Sequence, residues 1–535
     1  MTVYGLIHGS NLANTFLYIM FDLDPLIAKA MVYSSSRDKT ISKIIDLCSR
    51  RIILRGPTTN LDFVSAILSP EAFKQGDTLT NFLDTRFKYQ PHGILVLSGG
   101  SHSLIQDFPA RASLGHGIPK SGPMDSLTSR IANLLDGNLQ GTEVVEITLL
   151  GPELLFVSAA VVSVCGAECL VTVDGTERPM WSSLIIDEGQ KLKIGSVIGS
   201  GCRVYLAVKG GFPNIPVVFG SKSTTPSLKF GGCQGRALQQ GDFLQVERVS
   251  LRWTQEAQEY ILPANLRPSM DVREIYVLQG PHDSDEIMTA EDRYMLYNTD
   301  WKVGHNSSRT GVRLLGPTPK WARETGGEAG SHPSNYLDYG YPSPGGFNWG
   351  GNSSIILTAD SPNFGGLVCS TTVISTELWK LGQLKPGESF RMTPVTLDSA
   401  FSQFHRIETY LSTISQSISK LVTKAAAFDL SLPRADVGGH TSMLKIARQS
   451  PRGILDSKGG EGFLLLESGD QSTNIVTIVR IKLLMEKLYT LPELDLLLTP
   501  HVGSLTIEYN PLKISQPELL YRIHEIELGP STAGL

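Results

Sequence analysis

Short apolar runs separated by glycines dominate the middle of the chain, whereas longer helical periodicities lie on either side of it. Runs of four to eight apolar residues between turn residues predict β-strands, and their density between residues 93 and 395 predicts large β-barrels or sandwiches. The clearest predicted strands are residues 154–164, 203–209, 354–357 and 367–373.

Helical periodicity predicts several helices in the flanking regions and one inside the middle region. The apolar spacing expected of one buried helix face occurs at three places. The helix in the middle region follows Asp125 and should end at Gly137, and residues 398–428 also read as helical. The predicted faces are Ile41, Ile44, Ile45 and Cys48 in residues 37–51; Val64, Ile67 and Leu68 after a cap at Asn60; and Leu127, Ile131, Leu134 and Leu135.

The C-terminal part has weaker patterns. Residues 433–460 show little periodicity and are predicted to form a loop. After them we expect a strand at 463–466, a helix capped by Ser472 or Thr473, and a strand at 505–509. This β-α-β order predicts a small sheet with a helix on it. The helix should bury Val476, Val479, Leu483 and Leu484.

The predicted fold class is mixed α/β and β-rich, with a large β-barrel-like domain flanked by small α/β pieces. We expect four parts along the chain. They are an α/β fragment at 20–90, the β-rich domain at 93–395, a helical and loop linker at 398–460, and a short α/β segment at 461–535.

Composition narrows the function classes. The 535 residues carry 47 Lys and Arg against 52 Asp and Glu, a net charge of −5. This balance excludes a basic nucleic-acid-binding surface over the whole chain. No segment reads as a signal peptide or membrane span, and the six cysteines do not form a disulfide framework. We therefore expect a cytoplasmic protein with reduced thiols that contacts neither nucleic acid nor membrane.

Familiar chemical motifs are missing from the sequence. It contains no Walker A sequence, no G-x-G-x-x-G, no H-E-x-x-H and no paired C-x-x-C, so no metal site is predicted. The densest polar cluster spans residues 302–335. A site that handles a carboxylate needs such cations, amides and carboxyl groups, although the same residues also fit solvated turns between strands. The cluster contains Lys302, His305, Asn306, Arg309, Arg313, Glu328, His332 and Asn335.

A second cluster combines residues 106–111 with the sequence SGPMD at 121–125, where a helix is predicted to begin. The N-terminus of that helix could receive an anion. Alternatively, Ser121 or Asp125 caps the helix by accepting hydrogen bonds from its backbone.

Several of these segments resemble one family. SGPMD at 121–125, YLAVKGGF at 205–212 and FGSKST at 219–224 resemble the allophanate hydrolase subunit 2 domain. The segments QGPHDS at 279–284, 299–317, GGEAGSHPSN at 326–335 and 377–388 resemble its version in urea carboxylase and urea amidolyase. Residues 24–41 and 56–68 are similar to the end of a biotin carboxylase domain, and 464–469 and 498–511 to the opening of a subunit 1 domain.

The resemblance implies a carboxyltransferase that moves a carboxyl group from carboxybiotin to urea or a related amide, forming allophanate. It implies proton handling by Glu328 or His332. It also implies polar anchoring of substrate by a larger group of side chains. These are Lys302, Asn306, Arg309, Arg313, Asn335, Asp125 and Ser121.

Departures from the family pattern keep two alternatives open. The sequence has no ATP-binding region and no A-M-K-M-like biotin attachment site, so carboxybiotin would come from biotin carboxylase and carrier domains elsewhere. Asn352 stands where the family has Asp, Gly503 where it has Arg, and Ala110 where it has Gly. An Asn cannot act as a carboxylate base. The alternatives are a non-catalytic binding module and a 5-oxoprolinase-like subunit, which would cleave pyroglutamate with ATP.

Overall fold

The computed structural model contains two compact units, residues 1–92 and 93–535, and each is described by itself. The description covers residues 30–48, 60–87, 92–111, 118–247, 259–326, 331–336, 344–362, 365–435, 454–458, 462–468, 475–501, 504–511 and 513–528.

The first unit is helical in its described residues. The predicted face of the first helix buries Ile41, and Ser36 caps that helix by accepting from the backbone N–H of Lys39. Asn60 does precede the second helix, but its side chain makes no capping hydrogen bond. The helices are α1 (Arg37–Asp46), α2 (Leu61–Ile67), α3 (Glu71–Gln75) and α4 (Phe82–Thr85).

The second unit begins with two antiparallel sheets that share one apolar core, and we call this part the sandwich. Its strands are β1 (Gly93–Ser98), β2 (Ser103–Gln106), β3 (Val144–Thr148), β4 (Glu153–Phe156), β5 (Ala160–Gly166), β6 (Cys169–Val173), β7 (Thr176–Glu177), β8 (Ser183–Ile186), β9 (Lys191–Val197), β10 (Arg203–Val208) and β11 (Phe243–Gln245). The described strands pair in the orders β11-β1-β4-β9-β6-β7 and β2-β3-β10-β5-β8. The predicted strand at 154–164 is thus two strands, β4 and β5.

A helix after the SGPMD sequence covers one face of the sandwich. This helix, α5 (Ser126–Leu135), is the one predicted from its apolar spacing, and it buries Leu127, Ile131 and Leu135. Gly137 follows it with a φ of 68°, a left-handed conformation that suits glycine at a helix end.

A closed barrel of seven strands follows the sandwich. Its helices are α6 (Ala290–Asn298) and α7 (Leu378–Gln383). The strands are β12 (Glu274–Gln279), β13 (Trp301–Val303), β14 (Gly311–Leu315), β15 (Asn335–Tyr336), β16 (Gly346–Gly350), β17 (Ser353–Leu357), β18 (Gly366–Val373) and β19 (Ser389–Pro394). The order β12-β19-β13-β14-β17-β16-β18 closes because β18 also pairs with β12, and β15 is added outside on β18. The β-rich, barrel-containing fold class predicted from the sequence is confirmed.

The remaining residues form a long helix and a small α/β module. The helix α8 (Leu397–Ser419) packs on α5 through Leu411 and Ile414. The module has a sheet in the order β20-β21-β23-β22 and two helices. Its elements are β20 (Ile454–Lys458), β21 (Phe463–Ser468), α9 (Ile475–Leu488), β22 (Leu497–Pro500), β23 (Ser504–Glu508) and α10 (Gln516–Leu528). No helix in the described part of the chain is long and apolar enough to cross a membrane.

Three local predictions in the C-terminal part are wrong. The helix predicted at 398–428 ends at Ser419, and the loop predicted at 433–460 contains the strand β20. The third concerns α9, whose buried side chains are Ile481, Leu484, Met485 and Leu488. Of the predicted face, Val476, Val479 and Leu483 are exposed and only Leu484 is buried. Nine of the fourteen residues of α9 are apolar and they are distributed around the helix, so the apolar spacing alone does not identify the buried face. The predicted caps Ser472 and Thr473 lie outside the described residues.

Candidate active site

A cavity of about 680 Å³ lies where the sandwich, the barrel, α8 and the C-terminal module meet. One wall is the SGPMD loop, which we define as residues 121–125. The other walls are mostly apolar, which favours the exclusion of water from a bound ligand. Representative lining residues are Phe108, Val373, Trp379, Phe404 and Phe463.

Asp125 ends the SGPMD loop and caps α5. Its carboxylate accepts hydrogen bonds from the backbone N–H of Thr128 at 2.8 Å, the hydroxyl of Thr128 at 2.6 Å and the amide of Gln383 at 2.7 Å. The side chain is completely buried. Burial raises the pKa of Asp125 to about 6, although these three donors work in the opposite direction. The geometry is that of the capping alternative offered by the sequence.

The first two residues of the SGPMD loop have a left-handed backbone in close contact with a neighbouring residue. Ser121 has a φ of 60° and Gly122 a φ of 88°. A Cβ at Gly122 would lie 2.7 Å from the Cβ of Ala110, which itself has a φ of 76°. Glycine therefore suits position 122 on both steric and conformational grounds, and position 110 is one where an alanine is strained.

Arg309 lies behind the SGPMD loop with its guanidinium between two buried carboxylates. Nε donates to Asp360 Oδ2 at 2.8 Å, and Nη2 donates to Asp360 Oδ1 at 3.0 Å. Nη1 donates to Glu146 Oε1 at 2.5 Å, and Nη2 also donates to the carbonyl of Gly122 at 2.8 Å. Burial works to lower the pKa of Arg309, but the two carboxylates raise it well above its ordinary value. Arg309 is therefore permanently charged.

Glu146 is the partner of the Arg309 guanidinium that comes from the sandwich. It lies on β3, and its Oε2 accepts from the backbone N–H of Met124 at 2.7 Å and from the hydroxyl of Tyr205 at 2.9 Å. Arg203 lies 3.6 Å from Oε1. Burial alone would raise the pKa of Glu146, but Arg309 and Arg203 lower it below its ordinary value, so the carboxylate is ionised.

A chain of hydrogen bonds leads from Asp360 to a second buried arginine. The hydroxyl of Ser121 donates to Asp360 Oδ1 at 2.7 Å and lies 2.7 Å from the hydroxyl of Thr225. Nη1 of Arg111 donates to the hydroxyl of Thr225 at 2.8 Å. The guanidinium of Arg111 also lies 4.6 Å from the ring centre of Phe230, within cation–π range. Because Arg111 can only donate, the donors run from Arg111 through Thr225 and Ser121 to Asp360.

Three residues that border the cavity carry buried polar atoms with no hydrogen-bond partner in the described part of the chain. The atoms are Nε of Arg111, Oγ1 of Thr376 and Nε1 of Trp379. Buried polar atoms are almost always paired in folded proteins, so these three are exceptions, and they lie beneath the surface of the cavity, where a water molecule does not reach them.

The structure brings together only some of the predicted site residues. Ser121, Asp125 and Arg309 belong to one connected region around the SGPMD loop. Lys302 on β13, Arg313 on β14 and Asn306 in the turn between them are instead exposed on the barrel.

His332 and Asn335 occupy a third place, and Glu328 lies outside the described residues. Asn335 begins β15 and pairs with Leu367 near the start of β18, whereas the cavity touches Thr372 and Val373 at the end of that strand. Five residues of strand separate these positions by roughly 16 Å. Nδ1 of His332 accepts from the backbone N–H of Ser334 at 3.1 Å.

The positions noted as departures from the family pattern are also located. Asn352 is exposed in the turn between β16 and β17, Ala110 borders the cavity, and Gly503 lies outside the described residues.

Sequence reasoning gave no role to Glu146, Asp360 or Arg111. The position of Glu146 could have been recognised from the sequence, because a carboxylate within an apolar strand such as β3 requires a buried partner. Asp360 follows β17 among turn residues and had no such signal. The described residues contain no group of three or more His, Cys, Asp or Glu side chains that could hold a metal ion.

Comparison with known proteins agrees with this architecture. Residues 116–394 match the family model described as carboxyltransferase domain, subdomain A and B. The chain is 42% identical over 457 residues to a putative urea carboxylase of Emericella nidulans, covering 83% of this chain and 36% of that protein. The crystal structure of the Kluyveromyces lactis urea carboxylase has a TM-score of 0.78 at 32% identity, covering 94% of this chain and 44% of that one.

A more distant similarity connects the chain to a 5-oxoprolinase subunit of Escherichia coli. That match is 28% identical over 307 residues, 57% of this chain and 92% of that protein. The chain spans about a third of the length of the curated urea carboxylase that it matches. Since the family model covers more than half of the 535 residues, this chain belongs to the carboxyltransferase family with subdomains A and B.

Proposed function

We propose that this chain forms the carboxyltransferase part of a biotin-dependent urea carboxylase, which transfers a carboxyl group from carboxybiotin to urea or a related amide and yields allophanate. The observation that carries the proposal is the cavity of about 680 Å³ that is walled by the SGPMD loop. The similarity to a urea carboxylase over 83% of the chain supports the choice of substrate.

The residues around the cavity fit such ligands. Urea and the ureido ring of biotin are planar, and each presents a carbonyl oxygen that accepts hydrogen bonds. Lys120 and Arg130 line the cavity with partly exposed side chains, and their ammonium and guanidinium groups are donors for these oxygens. Carboxybiotin, when bound, supplies the carboxyl group that is transferred.

The chain's own residues would then orient the acceptor, exclude water and move a proton. The apolar walls reduce hydrolysis of the activated carboxyl group by keeping water out. Glu328 and His332 remain the predicted groups for taking a proton from the urea nitrogen. The predicted anchors Lys302, Asn306, Arg313 and Asn335 are absent from the cavity wall and have no role in the site proposed here. ATP and the carrier would act through biotin carboxylase and carrier domains, and a cytoplasmic location fits the six cysteines, which form no disulfide.

The direct test supplies the purified chain with a carboxylated biotin carrier domain and measures allophanate by mass spectrometry. We expect allophanate formation that saturates with urea. Trp379→Phe should raise the KM for urea because it removes part of a side chain that forms the cavity wall. The matched control is Trp349→Phe, since the indole N–H of Trp349 donates to Ser370 inside the barrel, away from the cavity. Absence of allophanate at every urea concentration would overturn the proposal.

The two alternatives give different results in the same experiment. A 5-oxoprolinase-like subunit would ignore urea and, with ATP and a partner protein, convert pyroglutamate to glutamate. A non-catalytic binding module would do neither, and Glu328→Ala and His332→Ala would then leave its binding to a partner unchanged.

A further inference from the structure

We infer that Arg309 is a positioning residue that sets the shape of the SGPMD loop and does not contact the substrate. The inference rests on the proposed function only because that loop walls the cavity. Arg309, Glu146 and Asp360 are buried and none of them borders the cavity, whereas Ser121, Gly122 and Met124 do. The charged groups therefore lie one step behind the surface that a ligand would contact.

Three polar contacts of the SGPMD loop end on the buried charged group, which we define as Arg309, Glu146 and Asp360. The hydroxyl of Ser121 donates to Asp360, the carbonyl of Gly122 accepts from Arg309, and the backbone N–H of Met124 donates to Glu146. Three successive points of the loop are thereby fixed by one guanidinium and its two carboxylates.

The two carboxylates come from different parts of the second unit. Glu146 lies on β3 of the sandwich, and Asp360 follows β17 of the barrel. Arg309 itself precedes β14 of the barrel, and its carbonyl accepts from the backbone N–H of Asp360 at 2.8 Å. The shape of the loop is consequently coupled to how the sandwich and the barrel are joined.

Only arginine can make this set of contacts. Nε and Nη2 form the paired hydrogen bonds to Asp360 while Nη1 reaches Glu146, which uses the planar fork of the guanidinium. A lysine would keep the charge but would lose the paired geometry. Arg309→Lys therefore separates positioning from charge.

The test combines kinetics with hydrogen exchange on the full chain. For Arg309→Lys we expect kcat to fall by about 100-fold, as a displacement near 1 Å does, with less than about a threefold change in the KM for urea. Amide hydrogen exchange of residues 121–127 should become faster while exchange in the barrel strands stays as in the wild type. The control Arg391→Lys alters an exposed arginine paired with Asp300 on the barrel and should change neither quantity.

Two further variants keep the inference falsifiable. In Arg309→Ala, added guanidinium should restore part of the activity and methylammonium should not. If Arg309→Lys does not fold, Ser121→Ala keeps the charged group intact and should still accelerate exchange in residues 121–127. A raised KM with unchanged kcat would make Arg309 a substrate ligand, and unchanged exchange would overturn positioning. Exchange is measured without substrate, so it decides the matter even if urea proves not to be the acceptor.

Discussion

The SGPMD loop with the charged residues behind it and the rest of the predicted polar cluster at 302–335 on the barrel are both rich in polar residues. Their side chains differ in burial and in pairing. Behind the loop, Arg309, Glu146 and Asp360 are buried and paired to one another. On the barrel, Lys302 and Arg313 are exposed, and His332 is bonded to a residue two positions away. A buried charge is costly unless it is paired, so replacing one of the buried charged residues should destabilise the fold. Single substitutions of the exposed residues on the barrel should have little effect on stability.

The largest expected effect comes from removing the charge at the centre of the loop region. Arg309→Met leaves the buried Asp360 without its paired cation and Glu146 with Arg203 alone, and should lower the free energy of unfolding by about 3–5 kcal/mol. Arg391→Met, which breaks an exposed pair, should cost at most about 1 kcal/mol. Urea denaturation of both variants measures the difference. Equal losses would show that burial does not distinguish the two regions.

The same variant should also reverse part of the pH dependence of stability. In the wild type the pKa of Glu146 is below its ordinary value of 4.5, so its contribution is present above that pH and is lost as the pH falls. In Arg309→Met, Glu146 loses the cation that contributes most to keeping it ionised, so its charged form is less stable and acid should relieve this. We expect the stability gap between the two proteins to narrow below about pH 5. A gap independent of pH would contradict the pairing.

Asp125, which lies next to the buried charged group, should affect the pH dependence of stability in the opposite direction to Glu146. Burial raises its pKa to about 6, so the folded state binds this proton more tightly than the unfolded state does. The stabilisation is complete below the ordinary value of 3.8 and is lost as the pH rises to about 6. Asp125→Asn retains a capping side chain and removes the titratable group. The difference between the two pKa values corresponds to about 3 kcal/mol of pH-dependent stability.

The comparison for Asp125 is the slope of stability against pH between 4 and 6. We expect this slope to become more positive in Asp125→Asn, because a group that destabilises the fold on ionising has been removed. An unchanged slope would mean that Asp125 is already ionised at pH 4. Glu146→Gln, measured alongside, should shift the slope in the other sense below pH 5.

The sequence predicted more of the architecture than of the site. The core of α5 and the strands β17 and β18 follow from local apolar patterns, which is why they were predicted nearly to the residue. Glu146, Arg309 and Asp360 are far apart in sequence. Arg309 and Asp360 meet where β14 pairs with β17, and Glu146 reaches them only through the joining of sandwich and barrel. Spacing along the chain carries no signal for such a meeting. The cluster at 302–335 divides because Lys302 is on β13, Arg309 lies before β14 and Asn335 begins β15.

Backbone conformation in the SGPMD loop gives a smaller effect that leaves the charges untouched. Gly122→Ala should lower stability by about 2 kcal/mol, since it adds a Cβ at positive φ only 2.7 Å from Ala110. Ala110→Gly should raise stability by up to about 1 kcal/mol, because it relieves a positive φ. The double variant should recover part of the loss, as the contacting Cβ is gone. Thermal unfolding of all three tests this, and strict additivity would contradict the contact.

The smallest expected effect comes from His332 on the barrel, where two substitutions imitate the two nitrogens of the imidazole ring. Nδ1 of His332 accepts from the backbone N–H of Ser334, so the neutral ring carries its proton on Nε2. His332→Asn places a carbonyl oxygen near Nδ1 and should retain that hydrogen bond, whereas His332→Gln should lose it at a cost of about 1 kcal/mol. If His332 also handles the proton, both variants should transfer the carboxyl group more slowly. Equal stability of the two variants would show that the hydrogen bond to Ser334 contributes nothing. The conformation around His332 would then depend on no such side-chain bond, in contrast to that of the SGPMD loop.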